Sequence, residues 1–270
     1  MVQLFEQNIT TNDRQSSKGN QLKWQDGEKW YKADYAGYEG LAEFMVSRLL
    51  ELSNIDKDNY VLYETEEIRY KYQNFLGCRS TNFLPEGWQM ITLERLFQSM
   101  YGQSLNRAIY TIKDHAGRLQ FLVQQTERMT GLKDFGKYMC KLLAIDALFL
   151  NEDRHTHNIA VLMDEYKEFH LCPFFDHGAA LLSDTTMDYP MGGDFEQLMN
   201  HVKPKTFCNS FAEQLDIAEV LYGRQVRFRF TRSDVEELLE KEKYYPNEIK
   251  KRVQEVILEQ KRRYQYLFEK

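Results

Sequence analysis

The feature that most constrains this chain is a change of pattern at residue 150. From Phe135 to Leu150 apolar residues recur at helical spacing: Phe135, Tyr138, Met139, Leu142, Leu143 and Ile145 form one stripe. The next stretch, Asn151 to Gly178, reads NEDRHTHNIAVLMDEYKEFHLCPFFDHG and puts Asp153, Arg154, His155 and Asn158 into one short loop. Two β-type runs follow, Ile159–Met163 and Phe169–Phe174, joined by the polar turn Asp-Glu-Tyr-Lys-Glu. Asp176 stands just past the second run, ahead of His177 and Gly178. Helix, polar loop, hairpin and acidic turn therefore come in a fixed order.

Each of these polar residues alone fits a capping or turn role. Together, at this spacing, they match what transfer of a phosphoryl group asks of a protein, which is positioning and neutralisation of charge. One carboxylate must meet the attacking hydroxyl, and an amide oxygen with a second carboxylate suits magnesium, which takes oxygen ligands. Asp153 and Asn158 are five positions apart, the Asp-to-Asn spacing of the protein-kinase catalytic loop. Asp176 takes the place of the metal-binding aspartate of that fold, and Gly178 lets the chain turn away behind it.

The sequence D-R-H-x-x-N, then a hairpin, then F-D-x-G resembles the HipA-like branch of the kinase fold, which is related to the phosphatidylinositol kinases. Asp precedes His here, the reverse of ordinary eukaryotic protein kinases. The resemblance implies an α+β, bilobal, protein-kinase-like fold. It has a β-rich lobe over residues 1–86 and a mainly helical lobe over 87–270, with ATP and Mg²⁺ between them. It implies Asp153 as catalytic base, Asn158 and Asp176 as metal ligands, and His155 as a member of the catalytic set that braces the loop. Arg154 fits either bracing or phosphate contact, and His157 and His177 are expected to be non-catalytic.

The amino-terminal third supplies the other half of such a site. Trp30-Tyr31-Lys32 ends a β-type run after the turn Asp26-Gly27, and a lysine there can meet phosphates as a point charge. Behind it Leu41, Phe44, Met45, Leu49 and Leu52 mark a helix over Tyr38 to Leu52, with Glu39 and Glu43 one turn apart. Either glutamate could pair with Lys32, and the resemblance favours Glu43. Ser16, Ser17, Lys18, Gly19 and Asn20 form a polar loop of the kind whose backbone cradles phosphate. In the resembling family a serine of this loop is autophosphorylated in some members. The β-rich segments Tyr60–Tyr63, Ile68–Tyr72 and Cys78–Phe83 lead to a hinge expected from Asn82 to Gly87, where Asn82 is the candidate nucleotide contact.

Beyond the hinge, helices are expected over Thr92–Tyr101, Ala116–Thr130, Phe207–Tyr222 and Asn247–Phe268, with a capping box at Ser233–Glu236. Ser183 to Gly193 reads as a docking loop, and Lys203-Pro204-Lys205 fits either an anionic substrate or a solvated basic turn. A net charge of −6 argues against a dedicated nucleic-acid binder, and four widely spaced cysteines indicate neither a zinc site nor a disulfide framework. Without a secretory signal or a long apolar run, the expected location is the cytoplasm.

The resulting expectation is an ATP- and Mg²⁺-dependent Ser/Thr protein kinase that acts on a protein substrate and phosphorylates itself. A pseudokinase binding module, or a lipid or small-molecule kinase of the same fold, is the alternative. Larger HipA-like proteins carry an extra amino-terminal region that engages an antitoxin. Only about thirty residues precede Lys32, so an antitoxin-type partner lacks support in this sequence.

Overall fold

The computed structural model describes residues 1–6 and 21–268. The chain forms two compact units, neither of them continuous in sequence. The first comprises Met1–Phe83, Phe175–Val202 and Arg227–Lys270, and the second Leu84–Phe174 and Lys203–Val226.

The first unit is built on five strands, β1 (Val2–Leu4), β2 (Lys23–Asp26), β3 (Lys29–Ala33), β4 (Tyr63–Tyr70) and β5 (Gln73–Thr81), in the order β1-β4-β5-β3-β2. β1 runs parallel to β4 and the other pairs are antiparallel. Alternation along β3 sends Tyr31 and Ala33 into a core with Leu4, Trp24, Ile68 and Tyr70, which leaves Lys32 on the opposite face. On that face lies helix α1 (Glu39–Leu50), buried along most of its length and packed on β4 and β5. The approach is close because two glycines meet: a Cβ on Gly40 would lie 2.4 Å from the Gly77 carbonyl carbon of β5. That contact sets where Glu43, one turn further on, is held.

The rest of the first unit completes it from distant sequence. After Asp176 the chain is pinned to the start of α1 by Tyr38, whose hydroxyl donates to Leu181 O at 2.7 Å and whose N–H donates to Ser183 O at 3.1 Å. Helices α6 (Phe195–His201), α8 (Arg232–Lys241) and α9 (Asn247–Arg263) follow. Arg252 of α9 donates to the carbonyls of Tyr189 and Pro190, so the segment expected to be a docking loop is tied to a helix.

In the second unit, strands β6 (Gln89–Thr92), β7 (Ala160–Met163) and β8 (Phe169–Leu171) form an antiparallel sheet in that order. Helices α2 (Leu93–Tyr101), α3 (Leu105–Thr111), α4 (His115–Thr130), α5 (Phe135–Phe149) and α7 (Phe211–Tyr222) supply the remainder. Helix α5, the apolar run of the sequence, is the buried spine and packs on α7. Among the described residues no helix is long and apolar enough to cross a membrane.

Three local expectations change. The segments expected at 60–63, 68–72 and 78–83 are two long strands, β4 and β5, joined at Lys71-Tyr72, where Lys71 adopts φ +54°. The capping box lies at Thr231 and Asp234 instead of Ser233 and Glu236. The Thr231 hydroxyl accepts from Asp234 N at 3.3 Å, and Asp234 Oδ2 accepts from Thr231 N at 2.6 Å. Buried Phe230 and the Arg229 N–H bond to Leu52 O fix the chain just ahead, so the helix starts at the first capping residue available. The third change is β6, α3 and α6, short elements that periodicity did not reveal.

Candidate active site

In the first unit, Lys32 brings three stretches of sequence together. Its Nζ donates to Glu43 Oε1 at 2.6 Å and to Asp176 Oδ1 at 2.8 Å. Glu43 Oε2 accepts from the backbone N–H of His177 at 2.8 Å, so one carboxylate joins β3, α1 and the Asp176–Gly178 turn. The Glu43 side chain is 1% exposed and those of Lys32 and Asp176 are 15% and 24% exposed, so the network is shielded on the helix side and open on the aspartate side. Burial opposes the charge on Lys32, but Asp176 and Glu43 outweigh it and hold the ammonium well above the ordinary lysine range.

Glu39, the other candidate partner, is used elsewhere. Its carboxylate accepts from the N–H groups of Ala36 and Gly37 at 2.7 and 3.1 Å, ahead of α1. Asp176 adopts φ +62°, a left-handed conformation that costs energy for a residue with a Cβ. Strain of this kind concentrates at functional sites.

In the second unit, the loop after α5 is built around a buried ion pair. Asp146 of α5 is 1% exposed and accepts from Arg154 Nε at 3.0 Å, from an Arg154 terminal nitrogen at 3.2 Å and from Asn151 Nδ2 at 2.8 Å. Burial pushes the Asp146 carboxyl up, opposed by Arg154 and Asn151. Arg154 also donates to Asn158 O at 3.1 Å, which makes it a brace inside the loop. From the other side, Thr156 donates to Glu94 of α2 at 2.8 Å.

Within this frame Asn158 Nδ2 donates to Asp153 O at 2.9 Å and approaches Asp153 Oδ2 at 3.4 Å. The amide nitrogen is thereby turned to Asp153, which leaves the amide oxygen as the ligand atom Asn158 can offer. His155 Nε2 lies 3.8 Å from Asp153 Oδ2, and its ring meets His157 edge-on. Lys205, from the segment before α7, places Nζ 3.4 Å from Asp153 Oδ1.

The remaining candidates divide. Asn82 follows β5, where its N–H donates to Glu28 O at 2.7 Å and its Oδ1 accepts from Trp30 Nε1 at 3.3 Å. Ser16, Ser17, Lys18, Gly19 and Asn20 lie outside the described residues.

Reading the sequence missed Asp146, and it marked Lys205 as part of the basic segment Lys203-Pro204-Lys205 without joining it to Asp153. Asp146 had a signal, since a lone carboxylate inside the run Ala-Ile-Asp-Ala-Leu-Phe must find a partner when the helix is buried. The pairing of Lys205 with Asp153 had none, because that approach depends on tertiary structure.

Oxygen donors of the Asn158 and Asp176 type suit a hard cation such as magnesium. The set His115, Cys208 and Glu213 also brings metal-ligating atoms within 4.8 Å of one another. It lies at the starts of α4 and α7, where the helix dipoles disfavour a cation, and we assign it no ion.

The sequence matches no known family model and no curated protein. Among solved structures, the fold is similar to that of the Helicobacter pylori proinflammatory kinase CtkA. The TM-score is 0.61 over 97% of this chain and 95% of that one, at 14% identity. This chain has a kinase fold. HipA of Shewanella oneidensis MR-1, solved with HipB and operator DNA, aligns with a TM-score of 0.41 at 12% identity over 94% of this chain and 62% of that one. At 14% identity the likeness to CtkA extends to the fold, and the chemistry rests on this chain's own residues.

Proposed function

We propose that the protein is an ATP- and Mg²⁺-dependent phosphotransferase, a Ser/Thr protein kinase of the HipA-like type that also phosphorylates itself. The observation that carries this reading is the bracketing of the Lys32 ammonium by Glu43 and Asp176, residues from separate parts of the chain. A cation held well above its ordinary pKa stays charged and can meet nucleotide phosphates.

In this reading Glu43 orients Lys32, Asp153 accepts or orients the proton of the attacking hydroxyl, and His155 braces its loop. Asn158 and Asp176 supply oxygen atoms for magnesium, and a bound magnesium ion neutralises phosphate charge. The Asp146–Arg154 pair keeps the loop in one conformation, so that Asp153 needs no rearrangement before reaction.

Incubation with γ-labelled and α-labelled ATP in parallel, with Asp153→Asn as control, tests the proposal. Label from the γ position alone, lost in the Asp153→Asn protein, is the expected result. Label from the α position would make the protein an AMP-transferase. ATP binding with no label from either position would make it a pseudokinase.

A further inference from the structure

We propose that Lys205 is a further catalytic residue, whose ammonium contacts the phosphoryl group in transit beside Asp153. This rests on the phosphotransferase reading above. The 3.4 Å approach of Lys205 Nζ to Asp153 Oδ1 would, on an open surface, be an ion pair of little consequence. Three features set it apart.

First, the segment that carries Lys205 is fixed. Pro204, Thr206, Phe207 and Cys208 are all buried around it. The Thr206 hydroxyl donates to Arg154 O at 2.8 Å, in the residue next to Asp153. Phe207 is held at both backbone groups: its N–H donates to Gln214 Oε1 at 3.0 Å, and its carbonyl accepts from Arg118 at 2.9 Å. The backbone is therefore anchored to the same loop that Asp146 and Arg154 brace.

Second, exposure differs sharply across the pair. The Asp153 side chain is 9% exposed and that of Lys205 is 47% exposed. The lysine thus presents its charge to whatever approaches Asp153 from solvent. Third, Asp153 Oδ2 has Asn158 Nδ2 on its other side at 3.4 Å, so the carboxylate is held between an amide and an ammonium.

A hydroxyl that gives its proton to Asp153 attacks phosphorus, the bond from phosphorus to the leaving ADP oxygen breaks, and negative charge spreads over the transferred oxygens. An ammonium beside Asp153 stabilises that charge without taking part in the proton transfer.

The test compares wild type, Lys205→Ala and Lys205→Arg as full-length proteins, in turnover of γ-labelled ATP and in binding of ADP with aluminium fluoride, a mimic of the group in transit. Lys205→Ala should lower kcat roughly 100-fold with KM for ATP little changed. Lys205→Arg should recover part of the loss, and added methylammonium should partly restore Lys205→Ala but not Asp153→Asn. Lys205→Ala should bind ADP alone as wild type does, yet lose the gain in affinity that aluminium fluoride confers. A Lys205→Ala enzyme within threefold of wild type, or faster, would overturn the proposal while leaving the phosphotransferase reading intact. If wild type transfers no label, that reading fails on its own. Equal binding of ADP–aluminium fluoride by wild type and Lys205→Ala would then overturn the role of Lys205 separately.

Discussion

Replacing Glu43 with glutamine tests whether the Lys32 network is the organising contact of the first unit. The substitution preserves size but exchanges one carboxylate oxygen for an NH₂ group. Both oxygens are occupied, Oε1 by Lys32 at 2.6 Å and Oε2 by the His177 N–H at 2.8 Å. Whichever way the amide turns, one contact becomes donor against donor. Removing one partner of a buried ion pair costs about 3–5 kcal/mol. Asp176 still neutralises Lys32 in part at 2.8 Å, so the lower end applies, about 3 kcal/mol. Urea unfolding should show this as a lower midpoint at unchanged slope. A double-mutant cycle with Lys32→Met should give a coupling above about 1 kcal/mol. Glu39→Gln, altering a carboxylate that caps backbone N–H groups, should cost roughly 1 kcal/mol and show no coupling to Lys32. A Glu43–Lys32 coupling below about 0.5 kcal/mol would refute the argument.

The other expectations concern what holds this network and the Asp153 loop in place. Asp34 accepts from Gly40 N at 2.6 Å and from the Tyr245 hydroxyl at 2.7 Å, tying the end of β3 and the start of α1 to the turn before α9. Tyr245→Phe should therefore lower stability by about 1–2 kcal/mol in urea unfolding, and weaken catalysis through the placement of Glu43. Burial and the charge of Glu39 raise the Asp34 pKa to about 8, against the hydrogen bonds from Tyr245 and Gly40. The folded state then keeps a proton that the unfolded chain releases near pH 4. This contribution is complete below pH 4 and lost as pH rises to about 8. Unfolding measured between pH 5 and 9 should show Asp34→Asn removing that part of the decline, and an unchanged slope would refute the assignment. Arg154→Met leaves Asp146 buried without its guanidinium and should destabilise by about 3–5 kcal/mol, whereas the double change with Asp146→Leu should recover much of the loss. Asp153→Asn should lower γ-label transfer by about 10²–10⁴-fold with the melting temperature nearly unchanged.

Much of the fold was legible because its signals are local. The α5 stripe, the α1 pattern and the hairpin after Asn158 each announce themselves within a dozen or so residues, and Asp153, Asn158 and Asp176 stand at the boundaries of those elements. Lys32 and Glu43 were legible as a pair because a strand followed closely by a helix leaves few ways for their side chains to meet. The elements that escaped are short or take their stability from neighbours. β6 exists by pairing with β7, across the whole α2–α5 helical stretch, and α3 and α6 are two turns each.

The same distinction explains which site residues could be read in advance. Lys205 and Tyr245 act, in this view, on residues 52 and 211 positions away, and neither belongs to a motif. Asp146 lies between the two cases, since its chain position shows that it needs a partner but not which one. Asp153 and Asn158 stand at a fixed spacing because one short loop carries both. Residues that meet such a loop from elsewhere can come from any segment the fold brings near, whether they hold the site or act in it. Tyr245 and Lys205 therefore separate two kinds of dependence: removing Tyr245 should be compensated by other stabilising changes in the first unit, while removing Lys205 should be compensated only by another cation. A stabilising background that restores Tyr245→Phe activity but leaves Lys205→Ala impaired would establish the difference, and restoration of both would reduce Lys205 to a structural contact.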